Sequence, residues 1–223
     1  MPVYEIEIKS LLGDKTAADA FRQQLMSMQP DLTETSSQLN HYFTGGSLDQ
    51  LYDEVAEILP ETDRQRLDDL RTQAASYSVR TRQLNDTVLL IVKAAIDDTT
   101  SANGIARMEF EAVTPGLSLE SLDQKVLNAG FEYEAKWSRD REQYQLEDVT
   151  ICLDKNAGYG YLVEFELMIN DPNQTSNARA RIDQLMTRLN AKELSQERLA
   201  RMFDYYNHHW QEYYGTEKTF TVE

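Results

Sequence analysis

Carboxylates and cations recur at every second residue in five short segments of this chain: Glu5, Glu7 and Lys9; Arg80 and Arg82; Arg107, Glu109 and Glu111; Arg139 and Arg141; Glu164 and Glu166. In an extended strand, residues two apart point to the same face, so each set would form a row of charge on one side. Any one row reads as a solvated strand face. Together they are unusual, because polar strand faces ordinarily mix Thr, Ser, Gln and Lys, whereas these repeat Glu and Arg with little dilution. Arginine donates two parallel hydrogen bonds from a planar fork and suits phosphate oxygens. Clustered carboxylates suit hard divalent cations. A ligand matched to both is a polyanion carrying Mg²⁺ or Mn²⁺, and in its absence the acids and bases partly neutralise one another.

Composition narrows the alternatives. The chain has 223 residues, 41% of them hydrophobic, enough for a sizeable core. No run approaches the roughly 18 apolar residues that span a bilayer, and the N-terminus enters a strand pattern with no apolar signal region. A cytoplasmic, non-membrane protein is expected. The single cysteine, Cys152, excludes an internal disulfide or a multi-cysteine metal site. It sits in the apolar run 149–153 and reads as a buried structural thiol. The three histidines show no zinc-ligand spacing, so carboxylates are the expected metal ligands. A net charge of −16 disfavours duplex nucleic acid as a partner.

The elements that would position these residues can be read from periodicity. Residues 3–9, 37–43, 76–83, 87–94, 105–113, 131–144, 149–153 and 159–169 read as strands, with Asn85-Asp86 as a hairpin turn. Residues 16–28, 117–129, 178–189 and 195–214 carry helical spacing, with Gly130 as a stop and Ser195 as an N-cap. The stretch 48–71 reads as an acidic helical insertion broken at Pro60, with eight acids against three arginines. The C-terminal aromatics, including Tyr205, Tyr206, Tyr213 and Tyr214, could stack a ring, but helical spacing favours packing.

No repeat or linker appears, so one α+β domain spanning residues 1–223 is expected: an eight-stranded antiparallel barrel with covering helices. Charged faces turned outward would give a plain barrel with an apolar interior. Turned inward they would line a charged tunnel, with the amphipathic helices covering the apolar faces outside. The second arrangement explains the charge pattern.

Glu5-Ile6-Glu7-Ile8-Lys9 resembles the ExExK signature of the CYTH superfamily, the triphosphate tunnel metalloenzymes. Further segments follow in family order: Gln38 to Tyr42-Phe43, Arg80-Thr81-Arg82, Lys93, Arg107-Met108-Glu109-Phe110-Glu111, Arg139-Asp140-Arg141 with Tyr144, and Asp154 with Gly158-Tyr159-Gly160 leading to Glu164-Phe165-Glu166. The resemblance covers residues 3–170 approximately. Asn40 stands where the family has Asp, and the spacing of Lys136, Arg139 and Arg141 admits two registers.

The resemblance implies a tunnel holding a triphosphate. Glu5, Glu7, Glu109, Glu111, Glu164 and Glu166 would serve as metal-binding carboxylates, and Lys9, Arg80, Arg82, Lys93, Arg107, Arg139 and Arg141 as phosphate ligands. Glu5, Glu7, Lys9, Glu111 and Glu166 are the expected catalytic set, with Glu111 or Glu166 activating water. The leading expectation is metal-dependent hydrolysis of inorganic triphosphate or a small organic triphosphate such as thiamine triphosphate. The alternatives are a class IV adenylate cyclase and a non-catalytic polyphosphate- or nucleotide-binding module. The expected partner is a small-molecule triphosphate, with a homodimer left open.

Overall fold

The computed structural model describes residues 4–95 and 107–222, apart from the side chains of Tyr4, Glu5, Arg107 and Pro172. The expected strand positions Val3, Ile105 and Ala106 therefore lie outside the described residues. The chain runs β1 (Tyr4–Gly13), α1 (Lys15–Ser27), β2 (Asp31–Gly45), α2 (Leu48–Val55), α3 (Glu61–Gln73), β3 (Ser76–Leu84), β4 (Thr87–Ala95), β5 (Arg107–Val113), α4 (Leu119–Asn128), β6 (Phe131–Leu146), β7 (Val149–Asn156), β8 (Gly160–Ile169), α5 (Thr175–Arg188) and α6 (Gln196–Tyr213). The eight strands form one antiparallel sheet in the order β1-β8-β7-β6-β2-β3-β4-β5. The expected barrel is not closed by hydrogen bonds: among the described residues β1 and β5 end the ladder.

Two compact units divide the chain, Met1–Ser37 with Ser138–Glu223, and Gln38–Trp137. In the first unit, alternation along β8 sends Val163, Phe165, Leu167 and Ile169 to one face and Glu164 and Glu166 to the other. The apolar face joins Ile8 and Ile151 and is covered by Phe21 and Leu25 of α1 and by Ile182, Leu185 and Met186 of α5. Asp14 caps α1 by accepting from the Ala17 N–H at 2.9 Å, and Ser195 caps α6 by accepting from Arg198 N–H at 3.3 Å. The outer edge of β1 is met by the segment after α5, where the Leu194 N–H donates to the Lys9 carbonyl at 2.7 Å. The C-terminal aromatics pack, as their spacing suggests: Tyr159, Tyr205, Tyr206, Tyr213 and Phe220 form a cluster with ring centroids 4.7–6.5 Å apart.

In the second unit, Val79, Leu90, Val92 and Phe110 supply the strand side of the core, and Leu51, Val55, Leu67, Leu70, Leu122 and Val126 supply the helix side. The acidic stretch at 48–71 thus consists of two covering helices, separated at Pro60. Their outward acids are partly paired within the layer, Arg71 binding both Asp49 and Asp68. Asn85 takes a positive φ of 50° at the β3–β4 turn, a conformation that Asn adopts more readily than most residues.

The largest boundary difference is at β2, which begins at Asp31 rather than near residue 37. Residues 31–35 are exposed, so no apolar alternation marks them. Their pairing is nonlocal, with Thr33 Oγ1 bonded to the Gln143 carbonyl at 3.1 Å.

Candidate active site

Charge in the first unit gathers on β1, β8, β7 and β6. Antiparallel register sets Glu7 opposite Glu166 and Lys9 opposite Glu164 across β1 and β8, Cys152 opposite Glu164 across β7 and β8, and Arg141 opposite Asp154 across β6 and β7. Lys9 Nζ lies 2.9 Å from Glu164 Oε1 and also pairs with Glu7. Arg141 spans two acids: Nε and Nη2 donate to the two Asp154 oxygens at 2.7 Å each, and Nη2 also meets Glu164 Oε2. Arg139 Nη1 reaches Asp154 Oδ2 at 3.2 Å.

These contacts explain the protonation of the group. Burial works to raise the Glu164 carboxyl, and the charges of Lys9 and Arg141 overcome it, holding Glu164 below its ordinary value. Burial likewise works to lower Arg141, but the Asp154 hydrogen bonds and charge, with Glu164, hold it above its ordinary value. Asp154 is only 1% exposed and pins both arginines. In the sequence it is a landmark of the motif, with nothing local to show that it anchors both.

Cys152 shares this face. It is buried, as expected, but not among the apolar residues of its run: Val149, Ile151 and Leu153 point into the core, while Thr150, Cys152 and Asp154 alternate to the charged side. Burial pushes its thiol up to about 12, with Arg141 opposing and the charges of Glu166, Asp154 and Glu164 adding to the rise. Its Sγ and carboxylate oxygens of Glu164 and Glu166 all lie within 4.8 Å of one another. The donor set in this unit therefore fits a divalent cation.

The second unit carries its own charged face. Register sets Tyr42 opposite Arg80, Asn40 opposite Arg82, Lys93 opposite Glu109, and Ile91 opposite Glu111. Lys93 Nζ is 3.1 Å from Glu109 Oε1, and Arg82 is 3.9 Å from Glu111 Oε2. Asn40 Oδ1 accepts from Arg82 Nε at 2.7 Å, which aims that arginine. Arg80 lies over the Tyr42 ring at 4.2 Å, and its buried Nε has no hydrogen-bond partner among the described residues. The backbone of Glu5 lies in β1, opposite Met168, and that of Arg107 in β5, opposite Ala95; their side chains are outside the described set.

Arg139 and Arg141 turn to Asp154, whereas Lys136 sits 3.9 Å over the Tyr133 ring and 3.9 Å from Asp123. Asp123 is the centre of a buried network that sequence reasoning misses. It accepts from Thr81 Oγ1 at 2.6 Å and Tyr133 OH at 2.7 Å, and meets His41 Nδ1 at 2.6 Å. Burial works to raise Asp123, but these three bonds hold it below its ordinary value. His41 stands isolated in the sequence because its partner lies 82 residues away. The one sequence cue is an acid on the apolar side of α4.

A family model described as the CYTH domain matches residues 3–200. Similar solved structures include a conserved hypothetical protein from Pyrococcus furiosus, with 20% identity, TM-score 0.52, and coverage of 87% of this chain and 93% of that one. The PH1012 protein from Pyrococcus horikoshii OT3 has 17% identity and TM-score 0.51, covering 87% and 93%. A candidate adenylate cyclase from Vibrio parahaemolyticus has 17% identity and TM-score 0.52, covering 90% and 98%. At these identities the likeness is one of fold. Comparison with curated proteins finds no match. No helix among the described residues is long and apolar enough to cross a membrane.

Proposed function

This chain belongs to the CYTH domain family, and from that premise we propose that it hydrolyses a small-molecule triphosphate with a divalent cation, Mg²⁺ or Mn²⁺. The observation that carries the reading is the interleaving of signs in the first unit, where Lys9, Arg139 and Arg141 are held against Glu7, Glu164 and Asp154 on one face. Such a face suits a ligand that brings both phosphate and metal. A purely anionic ligand would meet the carboxylates unfavourably, and a bare cation would meet the arginines.

The roles follow from the chemistry of each group. Lys9, Arg139 and Arg141 bind phosphate oxygens in the first unit; Arg80, Arg82, Lys93 and Arg107 take that role in the second. Glu5, Glu7, Glu164 and Glu166, with Glu109 and Glu111, are the carboxylates that would hold the cation. When bound, the cation neutralises phosphate charge and polarises the bond to the leaving phosphate. Glu166, or Glu111 in the second unit, accepts the proton of the attacking water. Attack forms a bond from the water oxygen to the terminal phosphorus and breaks the bond to the bridging oxygen. The arginines stabilise the charge that develops on the phosphate oxygens.

Incubation with tripolyphosphate, thiamine triphosphate or ATP, each with Mg²⁺ or Mn²⁺, tests the reading. Phosphate release from at least one is expected. Cyclic AMP from ATP in place of phosphate release would move the assignment to a cyclase. Tripolyphosphate binding without any product would move it to a binding module. Glu7→Gln removes a carboxylate that is one-third exposed, and is expected to abolish metal-dependent turnover while leaving the unfolding temperature nearly unchanged. Full activity in that variant would refute the assignment of Glu7.

A further inference from the structure

The hydrolytic roles above leave Cys152 unused, although its sulfur stands among the carboxylates. We propose that Cys152, Glu164 and Glu166 form a mixed thiolate–carboxylate site for a thiophilic divalent cation of the Zn²⁺, Co²⁺ or Cd²⁺ class. The proposal rests on the reading of Glu164 and Glu166 as metal-facing carboxylates, and adds to it a ligand of different chemistry.

Three observations carry it. The first is convergence: the sulfur and the two carboxylates present donor atoms within 4.8 Å of one another. Around a tetrahedral zinc, sulfur and oxygen ligands stand roughly 3.5 Å apart. Side-chain adjustment of about an ångström therefore brings the set to that spacing. The second is rigidity. Cys152 and Glu164 are direct cross-strand partners in the β7–β8 ladder, and Glu166 is two pairs along on the same face, opposite Thr150. The third is competition at Glu164. Its two oxygens already meet Lys9 and Arg141, so an entering ion competes with both for the carboxylate's charge. A thiophilic cation gains a sulfur–metal bond beyond the oxygen ligands open to a hard cation, and that bond offsets the competition. The thiol gives its proton to bulk solvent as that bond forms. The present partner of the sulfur, Gln143 Oε1 at 3.8 Å, is a weak contact that such a bond readily replaces.

Cobalt(II) is the probe, because a thiolate ligand adds a near-ultraviolet charge-transfer band that oxygen ligands do not give. Titrating the full-length protein with Co²⁺ is expected to produce this band at one equivalent. Zn²⁺ should displace the cobalt and remove it. Cys152→Ser should lose the band and weaken Zn²⁺ binding roughly tenfold or more, while Mg²⁺ binding measured by calorimetry changes little. Cobalt binding without the band in the unmodified protein would overturn the thiolate site and leave the carboxylate reading standing. Absence of binding by Co²⁺, Mn²⁺ and Mg²⁺ alike would overturn both. Because the band is measured on the unmodified protein, the result holds however the variant folds.

Discussion

Replacing Asp154 by Asn tests whether the charged face is held together from beneath. The side chain is 1% exposed and accepts two bonds of 2.7 Å from Arg141 and one of 3.2 Å from Arg139. Asn keeps the shape but turns one acceptor oxygen into an NH₂ donor facing a guanidinium, and removes the negative charge. Breaking a buried pair by removing one partner costs about 3–5 kcal/mol. Arg141 retains Glu164, and Arg139 is partly exposed, so the lower end applies. At about 2–4 °C per kcal/mol for a chain of this size, a loss of about 3 kcal/mol lowers the melting temperature by about 6–12 °C. Thermal unfolding followed by circular dichroism at neutral pH reads this directly. The same scan with tripolyphosphate should show a smaller ligand-induced rise than the unmodified protein, because both arginines have lost their anchor. A fall of less than about 2 °C with full tripolyphosphate stabilisation would refute the reasoning, since Asp154 would then neither hold the face nor aim the arginines.

Asp123→Ala strips the acceptor from Thr81, Tyr133 and His41 in the second unit, and is expected to cost about 3 kcal/mol or more in a urea titration. Because Asp123 is held below its ordinary value when folded, its contribution is present above the unfolded carboxylate range and is lost as pH falls through the folded value. The stability gap between the unmodified protein and Asp123→Asn should therefore narrow on acidification from about pH 6 to about pH 3. Gly158→Ala places a Cβ 2.7 Å from Tyr206 and 2.8 Å from Phe220, at a φ of +82°. It should release the segment 216–222, where the Phe220 N–H donates to the Gly158 carbonyl at 2.7 Å. Faster proteolytic clipping near the C-terminus is the expected sign.

Local alternation is enough to find the strands that carry charge. A side chain's face is set by its own residue's parity, so Glu164 and Glu166 separate from Val163 and Phe165 in the sequence itself. The same logic locates the covering helices and the Pro60 break, and the ordered motifs place the chain in its family, whose model matches residues 3–200. Cys152 is open to the same reading, since Thr150, Cys152 and Asp154 alternate with Val149, Ile151 and Leu153. The apolar composition of the run conceals that alternation. The early part of β2 offers no pattern, because both its faces are exposed and its partner is far along the chain.

What the sequence determined by itself was which residues share a face, because that depends only on the geometry of a strand. Which faces meet depended on register, and register is a choice among distant segments that share no local signal. Only the tertiary structure brought Arg141 to Asp154 and Glu164, set Lys136 beside Asp123, and gave His41 a partner 82 residues away. It also left β1 and β5 at opposite ends of the hydrogen-bonded order, where pattern alone suggests closure. Charge rows were thus a property of the chain. Their pairing into a lattice of acids and bases was a property of the fold, since it requires cross-strand partners to lie within a few ångströms of one another.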